Sequence, residues 1–231
     1  MENEKTPVWD FSRSRIGLDR KLSDYSKIRW LVTRLIKNNS LFYRKLSPGA
    51  YLNLGCGPNI NENFVCVDGW WVPGIDICCD MIRGLPVPAN FSKGIFTEHC
   101  LEHLALEDAK ALLADCRRVL MPNSLIRIVV PDLELYARAY VKTLDGQPAI
   151  LPNEYFVNRT GVNAPVAVIN ELFYGSGHEY MYDFQALSDL LVGAGFSDIR
   201  KCSFRSGRDE RLLIDDVGHI SESLYVEARK A

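Results

Sequence analysis

The stretch Tyr51-Leu52-Asn53-Leu54-Gly55-Cys56-Gly57-Pro58, followed by Phe64-Val65-Cys66-Val67-Asp68, constrains this chain more than any other. It puts a glycine turn at the end of one short apolar strand and a carboxylate at the end of the next. Open α/β sheets take their ligands at the carboxyl ends of the strands, and this pairing suits a nucleoside. Glycine lets the ligand approach the backbone, and a carboxylate can accept both hydroxyls of a ribose. A dinucleotide site would need a third glycine opening a full helix whose amides hold the pyrophosphate. Ile60 stands where that glycine would fall. The link from Pro58 to Asn63 is also shorter than the roughly dozen residues of a parallel crossover, so a loop or a single turn is expected there. The site therefore favours a nucleoside without phosphate.

S-adenosylmethionine (SAM) has a ribose and an adenine but no phosphate, and further pieces of the chain agree with it. They are Asp80-Met81-Ile82 with Gly84-Leu85-Pro86, then Thr97-Glu98-His99-Cys100-Leu101-Glu102-His103-Leu104. Arg118 to Asn123 before Leu125 to Asp132, and Leu190 to Phe196, complete the series. With these motifs in this order, residues from about 50 to 130 and from about 178 to 229 resemble the class I SAM-dependent methyltransferases. The nearest likeness is to a small bacterial group associated with sugar or cell-surface polymer synthesis. The resemblance implies an α/β fold: a doubly wound, seven-stranded mixed sheet of Rossmann-like methyltransferase type, with an N-terminal helix and a helical aromatic insert after the fifth strand. It also implies SAM as cofactor. Gly55, Cys56 and Gly57 would border the methionine part, Asp68 the ribose, Trp70 or Trp71 a face of the adenine, and Asp80 the adenine amino group. Asn53, Leu54, Gly69, Met81 and Glu98 complete the cofactor-binding set. Asn53 departs from the acidic residue that many relatives carry before the glycines. For Asp68, capping a turn with Gly69 is the structural alternative.

A length of 231 residues with 47% hydrophobic content suffices for one well-buried core. The expectation is a single methyltransferase domain over 1–231, with an N-terminal arm and helix over 1–46 and a substrate-cap insert over 133–182. A net charge of −2 argues against a general nucleic-acid binder. The charge is uneven, because residues 1–50 carry 11 Lys/Arg against 5 Asp/Glu, including Arg13, Arg15, Arg20, Lys21, Lys27, Arg29 and Arg34. This basic run is either a footprint for an anionic substrate or surface, or a solvated helix face with a terminus. The seven cysteines include no Cys-x-x-Cys pair and mostly sit in apolar patterns, which reads as buried thiols in a reducing compartment. The polar start, and the absence of 18 consecutive apolar residues, lead to the expectation of a cytoplasmic protein without a membrane span. Asn158-Arg159-Thr160 matches a glycosylation acceptor only by chance on that reading.

Apolar positions Ile28, Leu31, Val32, Leu35 and Ile36 recur at helical spacing, so an amphipathic helix over Tyr25–Lys45 is expected to pack on the core. Trp9 and Trp30 are expected in the same packing, with a lid as the alternative. Strands are expected near 51–54, 64–68, 75–78, 93–97, 125–130, 197–204 and 222–229. A helix over 104–120 is expected to end at Met121-Pro122-Asn123, and another, capped by Asp183, to run to Ala194 before Gly195. The interval from Leu133 to Tyr182 is longer than an ordinary connection. It holds Tyr136, Tyr140, Tyr155, Tyr174, Tyr180 and Tyr182, with Phe156 and Phe173. Leaving from the carboxyl end of a central strand, it is expected to cap the substrate, or else simply to pack on the domain.

Methyl transfer is an in-line displacement at a sulfonium carbon, so the protein must align the nucleophile and take its proton. Histidine suits this near neutral pH. Of His99, His103, His178 and His219, the first three fall where the pocket mouth is expected and are the candidate bases or acceptor ligands. His99-Cys100-Leu101-Glu102-His103 also spells the inverted zinc-peptidase motif. That motif needs both histidines on one helical face, whereas His99 is expected at a strand end. Some RNA-terminal and quinone-precursor methyltransferases carry a Glu-x-x-Glu-His motif at this place, but His99 replaces its first Glu, and no metal is assigned. Hydrogen bonding of Glu102 and His103 around the helix start is the plainer reading. Glu98-His99-Cys100 stands where amide and base methyltransferases carry an Asn-Pro-Pro-Tyr type loop, which favours an oxygen nucleophile. The resulting expectation is methyl transfer to a small-molecule or glycan-like acceptor. The alternatives are a metal-assisted enzyme acting on an RNA end or catechol-like oxygen, and a SAM-binding module without catalysis. Oligomeric state is left open.

Overall fold

The computed structural model describes residues 24–43, 46–147 and 165–231. The expectations for Trp9, Arg13, Arg15, Arg20, Lys21, Tyr155, Phe156 and Asn158-Arg159-Thr160 lie outside the described residues. Among the described residues seven strands are present: β1 (Tyr51–Leu54), β2 (Phe64–Asp68), β3 (Ile77–Cys78), β4 (Ser92–Glu98), β5 (Leu120–Pro131), β6 (Phe196–Cys202) and β7 (Ser223–Lys230). They form one sheet in the order β3-β2-β1-β4-β5-β7-β6. β1 to β5 pair in parallel, and β7 is antiparallel to both β5 and β6. Among the described residues the helices are α1 (Asp24–Ile36), α2 (Leu106–Val119), α3 (Leu133–Leu144), α4 (Pro165–Tyr174) and α5 (Phe184–Gly193). This is the seven-stranded mixed α/β sheet that the resemblance implies.

Strand order reverses between β1 and β4, and ligands of α/β sheets bind outside the carboxyl ends at such a point. Because β7 runs backwards, its first residue Ser223 pairs with Pro131 at the end of β5. Glu222 and Ser223 therefore reach the same edge as the ends of the parallel strands.

Alternation along β5 sorts the two faces of the sheet. Ile126, Ile128 and Val130 join Leu52, Leu54, Val67 and Ile95 with Leu112, Leu113 and Cys116 of α2 and Leu187 and Leu191 of α5. Each fully buried Leu or Ile contributes about 1.5–3 kcal/mol relative to exposure. On the other face Leu125 and Val129 pack with Phe64, Phe96 and Tyr225, under Phe204, Leu212 and Ile214. Arg127 shares this second face and is fully buried. Its guanidinium forks onto Asp215, with Nε donating to Oδ1 at 2.7 Å and Nη2 to Oδ2 at 2.5 Å, and Nη1 reaches Glu227 Oε1 at 3.3 Å.

Four expectations are corrected. The helix expected over Tyr25–Lys45 ends at Ile36, and a short 3-10 turn, Ser40–Phe42, follows it. Its apolar stripe does not face the core: Ile28, Trp30, Leu31 and Leu35 are at least half exposed, while Thr33 is buried. The reason is what α1 packs against. The β2–β3 loop offers a backbone amide, so α1 meets it through a polar side chain, with Thr33 Oγ1 accepting from Trp71 N at 3.0 Å; just beyond the helix, Asn38 Oδ1 accepts from Asp80 N, after β3, at 2.8 Å. Met121-Pro122-Asn123, expected to end the helix, lies inside β5, and α2 already ends at Val119. Leu120 is already extended and fully buried, so the helix passes straight into β5, and the irregularity appears as a register shift opposite Ser92 and Gly94. His103 does not open α2 but closes a 3-10 turn, Leu101–His103.

Asp183 caps α5 through Ala186 N at 2.7 Å, and Gly195 takes φ 87° just beyond it. In the insert, Tyr136 and Ala139 of α3 pack with Val168 and Leu172 of α4 and with Met181. Tyr136 and Tyr182 are buried, whereas Tyr174 is 76% exposed. All seven cysteines are free thiols, five of them buried. Among the described residues, no helix is long and apolar enough to cross a membrane.

Candidate active site

The glycine turn has two glycines with different duties. Gly55 (φ 68°) donates its amide to Val67 O at 2.8 Å, and a Cβ there would lie 2.3 Å from Cys100 Sγ. Gly57 (φ 53°) faces open space, with nothing within 4 Å of where its Cβ would be. Gly55 thus permits close packing, and Gly57 leaves room beside the backbone. Asp68, at the end of β2, ties this turn to the next loop: Oδ2 accepts from Gly57 N at 2.8 Å and Oδ1 from Trp70 N at 2.6 Å. Burial raises the Asp68 pKa, against the two amides and the nearby Lys37 and Arg29 cations. The turn-capping alternative is thus real, through Trp70 rather than Gly69. Each carboxylate oxygen retains acceptor capacity for a ribose hydroxyl.

Around that carboxylate, Trp70 is 37% exposed and Asp80 half-buried, with Arg83 Nε 3.1 Å from Asp80 Oδ2. Met81 begins the 3-10 turn that follows. Lys37 lies over Gly69, its Nζ 3.6 Å from the position of a Cβ there. Asn53 and Leu54 are buried in β1 and support the turn from beneath. Glu98 is engaged elsewhere, accepting from Asp216 N at 3.0 and 3.1 Å, with its pKa pushed up to about 7 by burial. That contact groups it with the histidines described next.

All four histidines converge beyond the ends of β4 and β5. His99 adopts φ 47°, a left-handed conformation that costs a non-glycine residue about 1–2 kcal/mol. His99 Nε2 meets Ser223 Oγ at 2.9 Å, and its ring stacks on His219 with centroids 3.8 Å apart. His219 Nδ1 contacts Glu222 Oε1 at 3.0 Å, and the Tyr136 hydroxyl donates to Glu222 Oε2 at 2.7 Å. On the other side His103 and His178 meet edge to face at 4.9 Å. Their Nδ1 atoms contact the carbonyls of Gly177 (3.3 Å) and Leu172 (2.5 Å). Carbonyls only accept, so in both rings Nδ1 carries the proton and Nε2 is left with a lone pair.

Glu102 sits between these two groups. It is fully buried, and neither carboxylate oxygen has a hydrogen-bond partner among the described residues. His99 Nδ1 stands 3.5 Å from Oε1 without making a hydrogen bond. Burial, reinforced by Glu222 and Glu98, pushes the Glu102 pKa up to about 8. Burial and the other imidazoles push His99 down to about 3, and burial lowers His103 and His178. His219 is raised, chiefly by its hydrogen bond to Glu222. Burial acts to raise Glu222, but the bonds from His219 and Tyr136 outweigh it and hold the carboxyl low.

Sequence reasoning found His99, His103 and His178 but missed Tyr136, His219, Glu222 and Ser223 in this cluster, and Lys37 and Asn38 beside the glycine turn. The signal for Glu222 and Ser223 lay in the direction of the last strand: once β7 is antiparallel, its start belongs to the active edge. A separate open concavity of about 520 Å3, lined by Tyr51, Lys93, Arg211 and Arg229, lies at the opposite edge of the sheet.

No protein-family model and no curated protein matches the chain. Among solved structures it is similar to a SAM-dependent methyltransferase from Archaeoglobus fulgidus, at 16% identity over 87% of this chain and 94% of that one, with a TM-score of 0.46. It is also similar to a SAM-dependent methyltransferase of Thermotoga maritima described as a possible histamine N-methyltransferase (14%, 90% and 95%, TM-score 0.49). A third is the 1,6-didemethyltoxoflavin-N1-methyltransferase of Burkholderia thailandensis, solved with 1,6-didemethyltoxoflavin and S-adenosylhomocysteine (17%, 80% and 72%, TM-score 0.46).

Proposed function

We propose that this protein is a SAM-dependent methyltransferase acting at an oxygen of a small-molecule or glycan-like acceptor. The observation that carries the reading is Asp68. It is a strand-end carboxylate with spare acceptor capacity, fixed by Gly57 N and Trp70 N beside the open space over Gly57. The residues present fit SAM: Asp68 for the ribose diol, Trp70 for an adenine face, Asp80 for the adenine amino group, and Gly55, Cys56 and Gly57 along the methionine part. When bound, SAM supplies a sulfonium methyl open to in-line attack.

The chain's own task is to hold the acceptor hydroxyl and take its proton. His219 suits the second role best, because a base is most effective with a pKa near the working pH and His219 is the histidine whose pKa is raised. Glu222 fixes its tautomer. His99, His103 and His178 stay neutral, and His99 serves as an acceptor ligand. Helices α3 and α4 pack against each other, and the chain runs on from α4 to His178, which supports a substrate-cap role within a single methyltransferase domain over 1–231. The seven free thiols support a reducing, cytoplasmic setting.

The test is production of S-adenosylhomocysteine from SAM with pools of hydroxylated and of amine acceptors. Turnover is expected with hydroxylated acceptors and to fall about a hundredfold or more in His219→Ala. Turnover confined to amines, or undiminished in His219→Ala, would overturn the oxygen and base assignments.

A further inference from the structure

Two groups of side chains at the active edge have ligand atoms within 4.8 Å of one another: His99, His219 and Glu222, and Glu102, His103 and His178. They differ in what they lack. In the first group every member has a hydrogen-bond partner, and Glu222 is bonded by both His219 and Tyr136. In the second the carboxylate is fully buried, and neither oxygen has a hydrogen-bond partner among the described residues. Leaving such a group unsatisfied costs about 1–3 kcal/mol or more, and a buried carboxylate is normally paired or bound to a cation.

We propose that Glu102, His103 and His178 bind a divalent transition-metal ion, with an open coordination position toward the acceptor side. Both histidines are already arranged as metal-ligating histidines are, with Nδ1–H donated to a backbone carbonyl and Nε2 left as the lone-pair donor. Two imidazoles and one carboxylate favour zinc, manganese, iron, cobalt or nickel over magnesium or calcium, which prefer all-oxygen sites. Metal–ligand bonds of about 2.0–2.2 Å place ligand atoms about 3.3–3.6 Å apart, so small rotations within the observed spacing close the set. The 3-10 turn Leu101–His103 presents Glu102 and His103 from one side, and the residue after Gly177 presents His178 from the other. Backbone bonds from Glu179 N and Tyr180 N to Glu102 O (2.8 and 3.2 Å) hold the two segments together. The site itself is independent of the methyl-transfer reading. Its role, lowering the pKa of an acceptor hydroxyl, rests on that reading.

The test is titration of cobalt(II) into the chelator-treated full chain, followed by visible d–d absorption and by competition with zinc. One saturable site per chain is expected, weakened more than about a hundredfold in both Glu102→Gln and His178→Ala, since second-sphere changes alone cost 10–100-fold. It should be unchanged in His219→Ala. Calorimetry with SAM on the same samples reports cofactor binding and folding separately, and intact SAM binding is expected in Glu102→Gln. No saturable spectrum, a spectrum indifferent to Glu102→Gln and His178→Ala, or one lost in His219→Ala would each overturn the site.

Discussion

Two clusters of buried charge sit on this sheet, and they are built on opposite principles. In the first, Arg127, Asp215 and Glu227 are all fully buried, and the guanidinium spends its donors on the two carboxylates and on the carbonyls of Ser203 and Ser206. Arg208 Nε meets the remaining Glu227 oxygen at 2.9 Å. In the second, Glu102 is equally buried, yet among the described residues its ion-pair candidate is a neutral imidazole 3.5 Å away. Burial alone therefore does not distinguish a structural charge from a functional one; satisfaction does. The closed cluster pins the 203–216 segment over the second face. The open one keeps unspent acceptors at the edge where ligands of such sheets bind.

The sharpest way to break this contrast is to delete the cation of the closed cluster. Arg127→Met is expected to cost about 3–5 kcal/mol, because two carboxylates are left buried without a partner. For a chain of this size that lowers Tm by about 6–20 °C in thermal melts. A loss under 1 kcal/mol would mean that water or a rearranged Arg208 satisfies the pair. Next in size is His219→Ala in the open cluster, expected to lower kcat about a hundredfold, roughly 3 kcal/mol of barrier, while thermal melts stay near wild type.

Smaller in slope is the pH dependence of Glu102 in metal-free protein. Its folded pKa of about 8 lies above its ordinary value of 4.5, so between those pH values the folded state keeps a proton that the unfolded state has lost. Wild-type stability should then fall relative to Glu102→Gln as pH rises from 4.5 to 8, by about 1.4 kcal/mol per pH unit at most, and level off above 8. Parallel curves for the two proteins in urea melts would show that Glu102 finds a partner in solution.

Much of the fold was legible because its signals are local. The apolar run from Leu125 to Val130, the glycines after Leu54 and the Asp183 cap each act within a few residues. The helix over Ile28 to Ile36 misled because helical spacing shows that a stripe exists without showing what it meets. Here the helix meets the β2–β3 loop through Thr33, which accepts from the Trp71 amide. The site was half legible. His99 and His103 follow a strand whose end is visible in the sequence, whereas Glu222 and His219 reach them across 120 residues or so, through a strand whose direction no local pattern records. Arg127 was visible as a charge between two isoleucines, but its partners Asp215 and Glu227 lie 88 and 100 residues away.

The claim on which the rest depends is that the Asp68 edge holds SAM, and calorimetric titration of SAM into the full chain at neutral pH tests it most directly. One site per chain is expected, weakened at least tenfold in Asp68→Ala and unchanged in His219→Ala. No heat of binding to the folded wild-type chain, or equal affinity in Asp68→Ala, would contradict it.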